Sequence, residues 1–247
     1  MVTFSNLGKL GRFGNQLWQI AAVIGYSRKY SQDYVLPTWS HANHFKYGFN
    51  QSGILKPFAP FHEKGFHFTP IPKYKDVDLY GYFQSIKYWD NIQRDIRALF
   101  SPNQQIQDLL DKTPLEPNTC AIHVRRTDYL QLNDYHPSLP MEYYEKAIES
   151  MKADKYIVFS DDIEWCKTQK QFEGFAFVNS GNDLLDFFMM RQCDRFIIAN
   201  SSYSWWASFL SVGLNKRIIA PAKEQWFGKK YEQNSVDDLY LTNWEVI

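Results

Sequence analysis

The sequence predicts an α/β fold built on parallel β-sheets, and three observations carry that reading. Four short runs rich in β-branched or aromatic residues, Thr119 to Val124, Lys155 to Phe159, Arg195 to Ala199 and Arg217 to Ala220, read as strands buried on both faces. Stretches of helical length separate them, and strands alternating with helices at this spacing make βαβ units. Apolar residues make up 45% of the 247 positions, enough to bury one sizeable core or two modest ones.

The elements follow in order. Val2 to Phe4 is a first strand; it leads through Gly8-Lys9-Leu10-Gly11-Arg12-Phe13-Gly14 into a helix from about Asn15 to Tyr30. A strand near Tyr34 to Leu36 comes next. Pro37 to Pro72 is dense in His, Phe, Pro and Lys without a sustained period, so it is expected to be a long irregular segment of the kind that often serves function. Leu79 to Phe83 reads as a strand, and Trp89 to Phe100 as a helix with Ile92, Ile96 and Leu99 on one side. Asp111 to Pro117, with two prolines and mixed charge, is the expected linker, which divides the chain into domains 1–115 and 116–247. In the second half the helices are Met141 to Lys152, Ile163 to Phe172, Asp183 to Cys193 and Ser204 to Val212, and Phe175 to Val178 is a fifth strand. This half is Rossmann-like.

Charge narrows the function. Lys and Arg number 27 against 27 Asp and Glu, so the chain lacks the basic excess with which a nucleic-acid binder displaces counterions. The balance is uneven along the chain: residues 1–115 hold 13 basic and 8 acidic side chains, residues 116–247 hold 14 and 19. An anion bound by the second half must therefore be held by local donors rather than by a general field. Cys120, Cys166 and Cys193 form no C-x-x-C pair, which suits buried thiols in a reducing compartment and no structural zinc. No 18 apolar residues run together and no signal peptide is visible.

In open parallel sheets ligands sit beyond the carboxyl ends of the strands, so the residues after each strand are the ones to inspect. Arg125 and Arg126 leave the strand ending at Val124, and forked guanidinium donors there can chelate a diphosphate without a metal. The competing reading is a structural salt bridge from Arg125 to Asp128 or Asp161. Asn200-Ser201-Ser202-Tyr203-Ser204 lies where a strand hands over to a helix, a site that favours an anion, although Ser201 or Ser202 equally suits a helix cap. Asp161 and Asp162 are candidates to accept the paired donors of a guanine edge, or to cap the following helix. Gly11-Arg12-Phe13-Gly14-Asn15-Gln16 permits a tight turn and close approach of backbone to ligand, with Asn15 as a candidate cap; it is not a dinucleotide fingerprint. Asp76-Val77-Asp78 has the spacing of a metal-binding pair but reads more simply as a solvated acidic turn.

Taken together, GRFGNQLWQIAA (Gly11 to Ala22), GYFQSIKYW (Gly81 to Trp89), HVRRTDY (His123 to Tyr129), VFSDDIEWCK (Val158 to Lys167) and NSSYSWWASFL (Asn200 to Leu210) resemble, in order, the motifs of the galactoside α-1,2-fucosyltransferases, glycosyltransferase family 11. The resemblance implies a GT-B-like pair of Rossmann-type halves with parallel sheets and a cleft between them. It implies donor GDP-β-L-fucose on residues 116–247 and an acceptor galactoside approached from residues 1–115. Arg125 matches the arginine that contacts the diphosphate in the H-x-R-R-x-D element, with His123 and Asp128 in or beside the site and Arg126 supporting it. Asp161 or Asp162 would read guanine, Ser201 and Ser202 would face the phosphate, and Arg12 and Asn15 match the element that faces the fucose.

The implied reaction is an inverting, metal-independent transfer to the 2-OH of a terminal galactoside, with no cofactor beyond the donor substrate. Arg125 and Asp128 are the expected catalytic residues; Asp134 and His136 are further candidates for the general base. The stretch Trp39 to Pro72 is the expected acceptor side, with His41, His44, His62 and His67 mostly scattered on the surface. Two other readings stand beside this one: a metal-dependent UDP-sugar transferase using Asp76 and Asp78, and a non-catalytic nucleotide- or glycan-binding protein. The expected partners are a nucleotide sugar and an oligosaccharide, without nucleic acid; the expected place is the bacterial cytoplasm, or the inner face of the membrane through a lipid-linked acceptor.

Overall fold

The computed structural model describes residues 1–213 and 216–247, which fall into two units. The first comprises Met1–Asp108 and Ser235–Leu239. It begins with β1 (Val2–Thr3), then α1 (Phe13–Tyr30), β2 (Leu36–Pro37), β3 (Gln51–Ser52), β4 (Pro60–His62), β5 (Val77–Tyr80), α2 (Gln93–Leu99) and α3 (Gln104–Asp111), whose end passes into the second unit. Strands β1, β5 and β4 form a parallel sheet in that order, and β2 pairs in parallel with β3. Helix α1 is buried from Leu17 through Ala22 to Ser27, because its residues are apolar almost all round. Two glutamines inside it bond to neighbouring segments: Gln19 donates to the Leu10 and Gly81 carbonyls, and Gln16 accepts the Trp39 indole N–H at 2.7 Å. The helix stops where Ser31 turns left-handed at φ 51°.

The stretch expected to be irregular, Pro37 to Pro72, contains β3 and β4. Strands of two or three residues carry no readable period, and Pro60 heads an edge strand where a missing N–H costs nothing. The helix expected from Trp89 starts as a 3₁₀ turn over Asp90–Ile92 and is α-helical only from Gln93. Helix α3 precedes the expected linker, burying Ile106 and Leu110 four apart. The division between units falls after Asp108 rather than at 115, and residues 235–239 return to the first unit. Asp238 there accepts the Phe68 amide and pairs with Lys87 at 2.5 Å, which holds that return in place.

The second unit runs β6 (Thr119–Val124), α4 (Thr127–Gln131), α5 (Met141–Met151), β7 (Lys155–Ser160), α6 (Ile163–Lys167), β8 (Ala176–Val178), α7 (Asp183–Arg191), β9 (Arg195–Ile197), α8 (Ser202–Leu210), β10 (Arg217–Ala220) and β11 (Glu245–Val246). Its sheet is parallel throughout, in the order β11-β10-β9-β6-β7-β8. All six residues of β6 are buried, as a strand covered by helices on both faces requires. Ile122, Val158, Ile197 and Ile219 from four strands meet Tyr144, Ala147 and Met151 of α5 in one core. The three cysteines are buried there or nearby and unpaired. Chain order reverses at β6: β7 and β8 extend the sheet one way, then β9 returns to the other side. Such a reversal is where open parallel sheets place a ligand-binding crevice, here beyond the carboxyl ends of β6 and β9.

Candidate active site

The residues after β6 and β9 flank this crevice. Arg125, the first residue after β6, pairs with Asp128 at 2.6 Å and with Asp161 at 3.0 Å, and its side chain is 16% exposed. Both ion pairs weighed from the sequence are therefore made, and they aim one guanidinium from two sides. The Arg125 head also lies 5.5 Å from the centre of the Tyr129 ring. Arg126 points elsewhere: its guanidinium sits 4.1 Å over the Trp165 ring and its Nε is 3.1 Å from Asp162.

Asp161 is occupied. One oxygen accepts the Arg126 amide at 2.9 Å; the other accepts the Thr127 amide at 3.2 Å and the Thr127 hydroxyl. Burial pushes its pKa up, but the Thr127 hydroxyl, Arg125 and the Arg126 amide outweigh this and hold it below the usual carboxylate range. It thus fixes the turn that presents Arg125. Asp162 is the N-cap of α6, accepting the Trp165 amide, so the cap reading applies to it.

His123 is fully within β6. Its Nδ1 lies 2.9 Å from the Ser204 hydroxyl and its ring stacks at 5.3 Å on Tyr203, both on α8. Burial lowers its pKa to about 3, against the attraction of Asp161. A folded chain that refuses this proton must lose stability as pH falls below the ordinary histidine range, where the unfolded chain accepts it. We expect His123→Asn to lose less unfolding free energy than the wild type between pH 6.5 and 4.5. The difference should be about 2 to 3 kcal/mol, at about 1.4 per pH unit, read by urea denaturation at both pH values.

Ser201 caps α8, accepting the Tyr203 amide at 3.3 Å, while its own amide donates to the Ala199 carbonyl. The amide of Ser201 is thus committed to the turn, and Ser202 opens the helix beside it at intermediate exposure. Asn200, 2% exposed, donates to the Pro137, Gln225 and Trp226 carbonyls and ties two segments to the end of β9. Of the other base candidates, Asp134 is exposed and His136 lies against Tyr129, Phe227 and Tyr231, burial lowering its pKa.

In the first unit Arg12, not Asn15, is the N-cap of α1, and its side chain does not cap the helix; Asn15 sits in the first turn and accepts the Gln84 amide at 2.7 Å. Gly11 has φ 74° and a Cβ there would press on the Asn15 side chain, so both demands select glycine. The Gly11–Asn15 and Gly81–Ser85 motifs are therefore in contact through Gln84. His41 packs edge-on against Phe13 at 5.2 Å, and burial lowers its pKa. Asp76 and Asp78 serve different partners, the Met1 amine and Ser5 respectively. Among the described residues no three His, Cys, Asp or Glu side chains cluster as metal ligands would, and no helix is long and apolar enough to cross a membrane.

Sequence reading missed Trp165, Tyr203 and Ser204, which hold Arg126 and His123; their motifs were recognised but the pairing across the sheet was not legible. It also missed Glu63, which no motif contains.

The sequence profile of Glycosyl transferase family 11 matches residues 26–247. The O-antigen biosynthesis glycosyltransferase WbnK of Escherichia coli is 33% identical over 184 residues, 67% of this chain and 59% of the relative. An alpha-1,2-colitosyltransferase of Escherichia coli is 31% identical over 176 residues, 65% and 59%. Galactoside alpha-(1,2)-fucosyltransferase 1 of Alouatta belzebul is 25% identical over 238 residues, 82% and 64%. The chain spans about three-fifths of the length of these relatives. Among solved structures, NodZ alpha-1,6-fucosyltransferase soaked with GDP-fucose matches with a TM-score of 0.56 at 14% identity, covering 91% of this chain and 95% of that one; the shared feature is the GT-B-like fold.

Proposed function

Because the chain belongs to Glycosyl transferase family 11, we propose that it moves L-fucose from GDP-β-L-fucose to the 2-OH of a terminal galactoside, inverting the anomeric carbon without a metal. The observation that carries this is Arg125, held by two carboxylates at the switch point of the second unit's sheet. As the glycosidic bond breaks, negative charge grows on the β-phosphate, and a preorganised guanidinium there stabilises it. The pyrophosphate competes with Asp128 and Asp161 for Arg125, and those carboxylates keep the fork aimed. Between Asp161 and Asp162, the latter is the better guanine reader, since Asp161 already accepts the turn's donors. His123 and Arg126 support the donor site, with Ser201 and Ser202 at the dipole end of α8; Arg12 and Asn15 serve the fucose side. Asp128 takes the acceptor proton. The first unit supplies the acceptor side, and the reaction runs in the bacterial cytoplasm on a free or lipid-linked oligosaccharide.

A second donor is favoured by the colitosyltransferase relative. Colitose is fucose without the 3-hydroxyl, so a site that hydrogen-bonds that hydroxyl rejects GDP-colitose, and a site that fills its place with apolar atoms prefers it. The test is release of GDP from GDP-fucose, GDP-colitose, GDP-mannose and UDP-galactose with and without galactosides, in excess chelator. We expect acceptor-dependent release from GDP-fucose that survives chelation. Loss of activity with chelator returns the metal-dependent UDP-sugar reading, and binding without release returns the non-catalytic one. In the same series GDP-fucose at a hundred times its Kd should add about 2.7 kcal/mol of stability, raising Tm by about 5 to 11 °C, while UDP-galactose leaves it unchanged.

A further inference from the structure

Glu63 directly follows β4, at the carboxyl end of the first unit's sheet. Its amide donates to the Tyr80 carbonyl at 2.8 Å, which continues the ladder to β5. Its carboxylate turns onto the loop that follows β5. Oε2 accepts the Tyr82 amide at 2.7 Å and the Phe83 amide at 3.0 Å, and Oε1 accepts Phe83 at 3.0 Å. That loop is held in an uncommon shape. Gly81 has φ 155°, and a Cβ on it would lie 2.4 Å from the Glu63 side chain. Phe83, a fully buried aromatic, sits at φ 52°, a left-handed conformation that costs of order 1 to 3 kcal/mol and persists only when its surroundings impose it. The next residue, Gln84, donates to Asn15, and Gln19 of α1 grips the Gly81 carbonyl.

We propose that Glu63 is the positioning residue of the first unit's site: its carboxylate clamps the 81–84 loop so that Gln84 holds Asn15, and the loop slackens when Glu63 is protonated. The inference rests on the proposed use of Arg12 and Asn15 on the fucose side. A carboxylate accepts from both amides with lone pairs alone, whereas the acid form must place a proton among backbone donors. Burial, opposed by these amide bonds, raises Glu63 to about 7, so the change falls in the working range of an enzyme. The groups facing it are Tyr88, whose pKa is raised by burial and by Glu63 itself, and beyond it the Lys87–Asp238 pair. Exposed His62 precedes Glu63, its ring 4.9 Å from Tyr80, and Lys64 follows. The linkage sign is opposite to the activity sign. A carboxyl with a raised folded pKa favours the fold below the unfolded value and forfeits that advantage as pH rises through 7. The charge is thus kept against stability, as residues held for function often are.

The experiment compares wild type and Glu63→Gln from pH 5.5 to 8.5. Two readouts are taken, hydrogen exchange of a peptide covering residues 81–84, normalised to β6, and kcat and KM for GDP release. Expected are at least tenfold faster exchange of the loop in the variant at pH 8, with no difference at pH 5.5, and a wild-type kcat that climbs through pH 7 where the variant's stays flat and about tenfold lower. Tm of the variant should gain on the wild type as pH rises. His62→Gln keeps the wild-type step. Equal loop exchange in wild type and variant at pH 8 overturns the proposal. If the variant does not fold, the wild type decides alone, since its normalised loop exchange must slow between pH 5.5 and 8. A chain that releases no GDP from any donor removes the proposed function, while the exchange result still judges the clamp.

Discussion

Arg125→Ala is expected to lower kcat/KM for transfer from GDP-fucose at least a hundredfold while the fold survives. The side chain supplies the permanent charge at the switch point, and losing one such preorganised donor costs about 3 to 4 kcal/mol in the transition state. Folding is spared because the turn does not depend on Arg125. Asp161 keeps the Arg126 amide, the Thr127 amide and the Thr127 hydroxyl, and Arg126 keeps Trp165 and Asp162. Arg125→Lys separates charge from shape. An ammonium restores the charge but cannot span Asp128, Asp161 and a pyrophosphate as a fork does, so an intermediate rate is expected. Circular dichroism and Tm check the fold of both. A wild-type rate in the alanine variant removes Arg125 from the mechanism.

Gly25→Ala is expected to be the most damaging conservative change in the first unit. In an ordinary helix interior alanine is better than glycine by about 1 kcal/mol, so propensity alone predicts a gain. Here a Cβ on α1 would lie 2.2 Å from the Tyr88 carbonyl oxygen and 2.9 Å from the Trp89 Cβ. The first obstacle is backbone and cannot rotate away, so α1 must shift from Tyr88, which ends a 3₁₀ turn over Ile86–Tyr88, and from Trp89 between that turn and the one over Asp90–Ile92. Overpacking of this kind costs about 3 kcal/mol, a Tm fall of about 6 to 12 °C in a chain of this size. The sign is diagnostic: a raised Tm would show that the helix does not approach that carbonyl. Because α1 opens at the Gly11–Asn15 turn, its displacement should also raise KM.

The second unit was the more legible in sequence. Thr119 to Val124 and Arg217 to Ala220 are strands with the bounds read from the sequence, because a strand buried on both faces leaves an unbroken apolar run. The first unit was harder. β4 is three residues long, begins with proline and belongs to a sheet made by parallel partners far along the chain, so no local signal announces it. Helix α4, which begins within the H-x-R-R-x-D element and runs on to Gln131, is not among the helices expected from the sequence, because five polar-rich residues show no helical period.

For the site, residue type and position after a strand were enough to single out Arg125, Arg126, Asp161 and Asp162. Which carboxylate meets which arginine was not. Asp161 binding the turn and Asp162 capping a helix differ only in a rotation at the end of β7, and adjacent aspartates look alike to any sequence argument. Glu63 is the extreme case, an ordinary acid in an aromatic, proline-rich stretch, distinguished only by the two amides it meets twenty residues away.

Local composition and periodicity thus determined the strand-and-helix alternation, the parallel sheet and the polar junctions where chemistry is placed, because burial and chain direction act over a few residues. The folded chain alone decided the strand order with its reversal at β6, the pairing of charges there, and the clamp on residues 81–84. Those depend on contacts between segments tens of residues apart, whose energies exist only once the sheets have assembled.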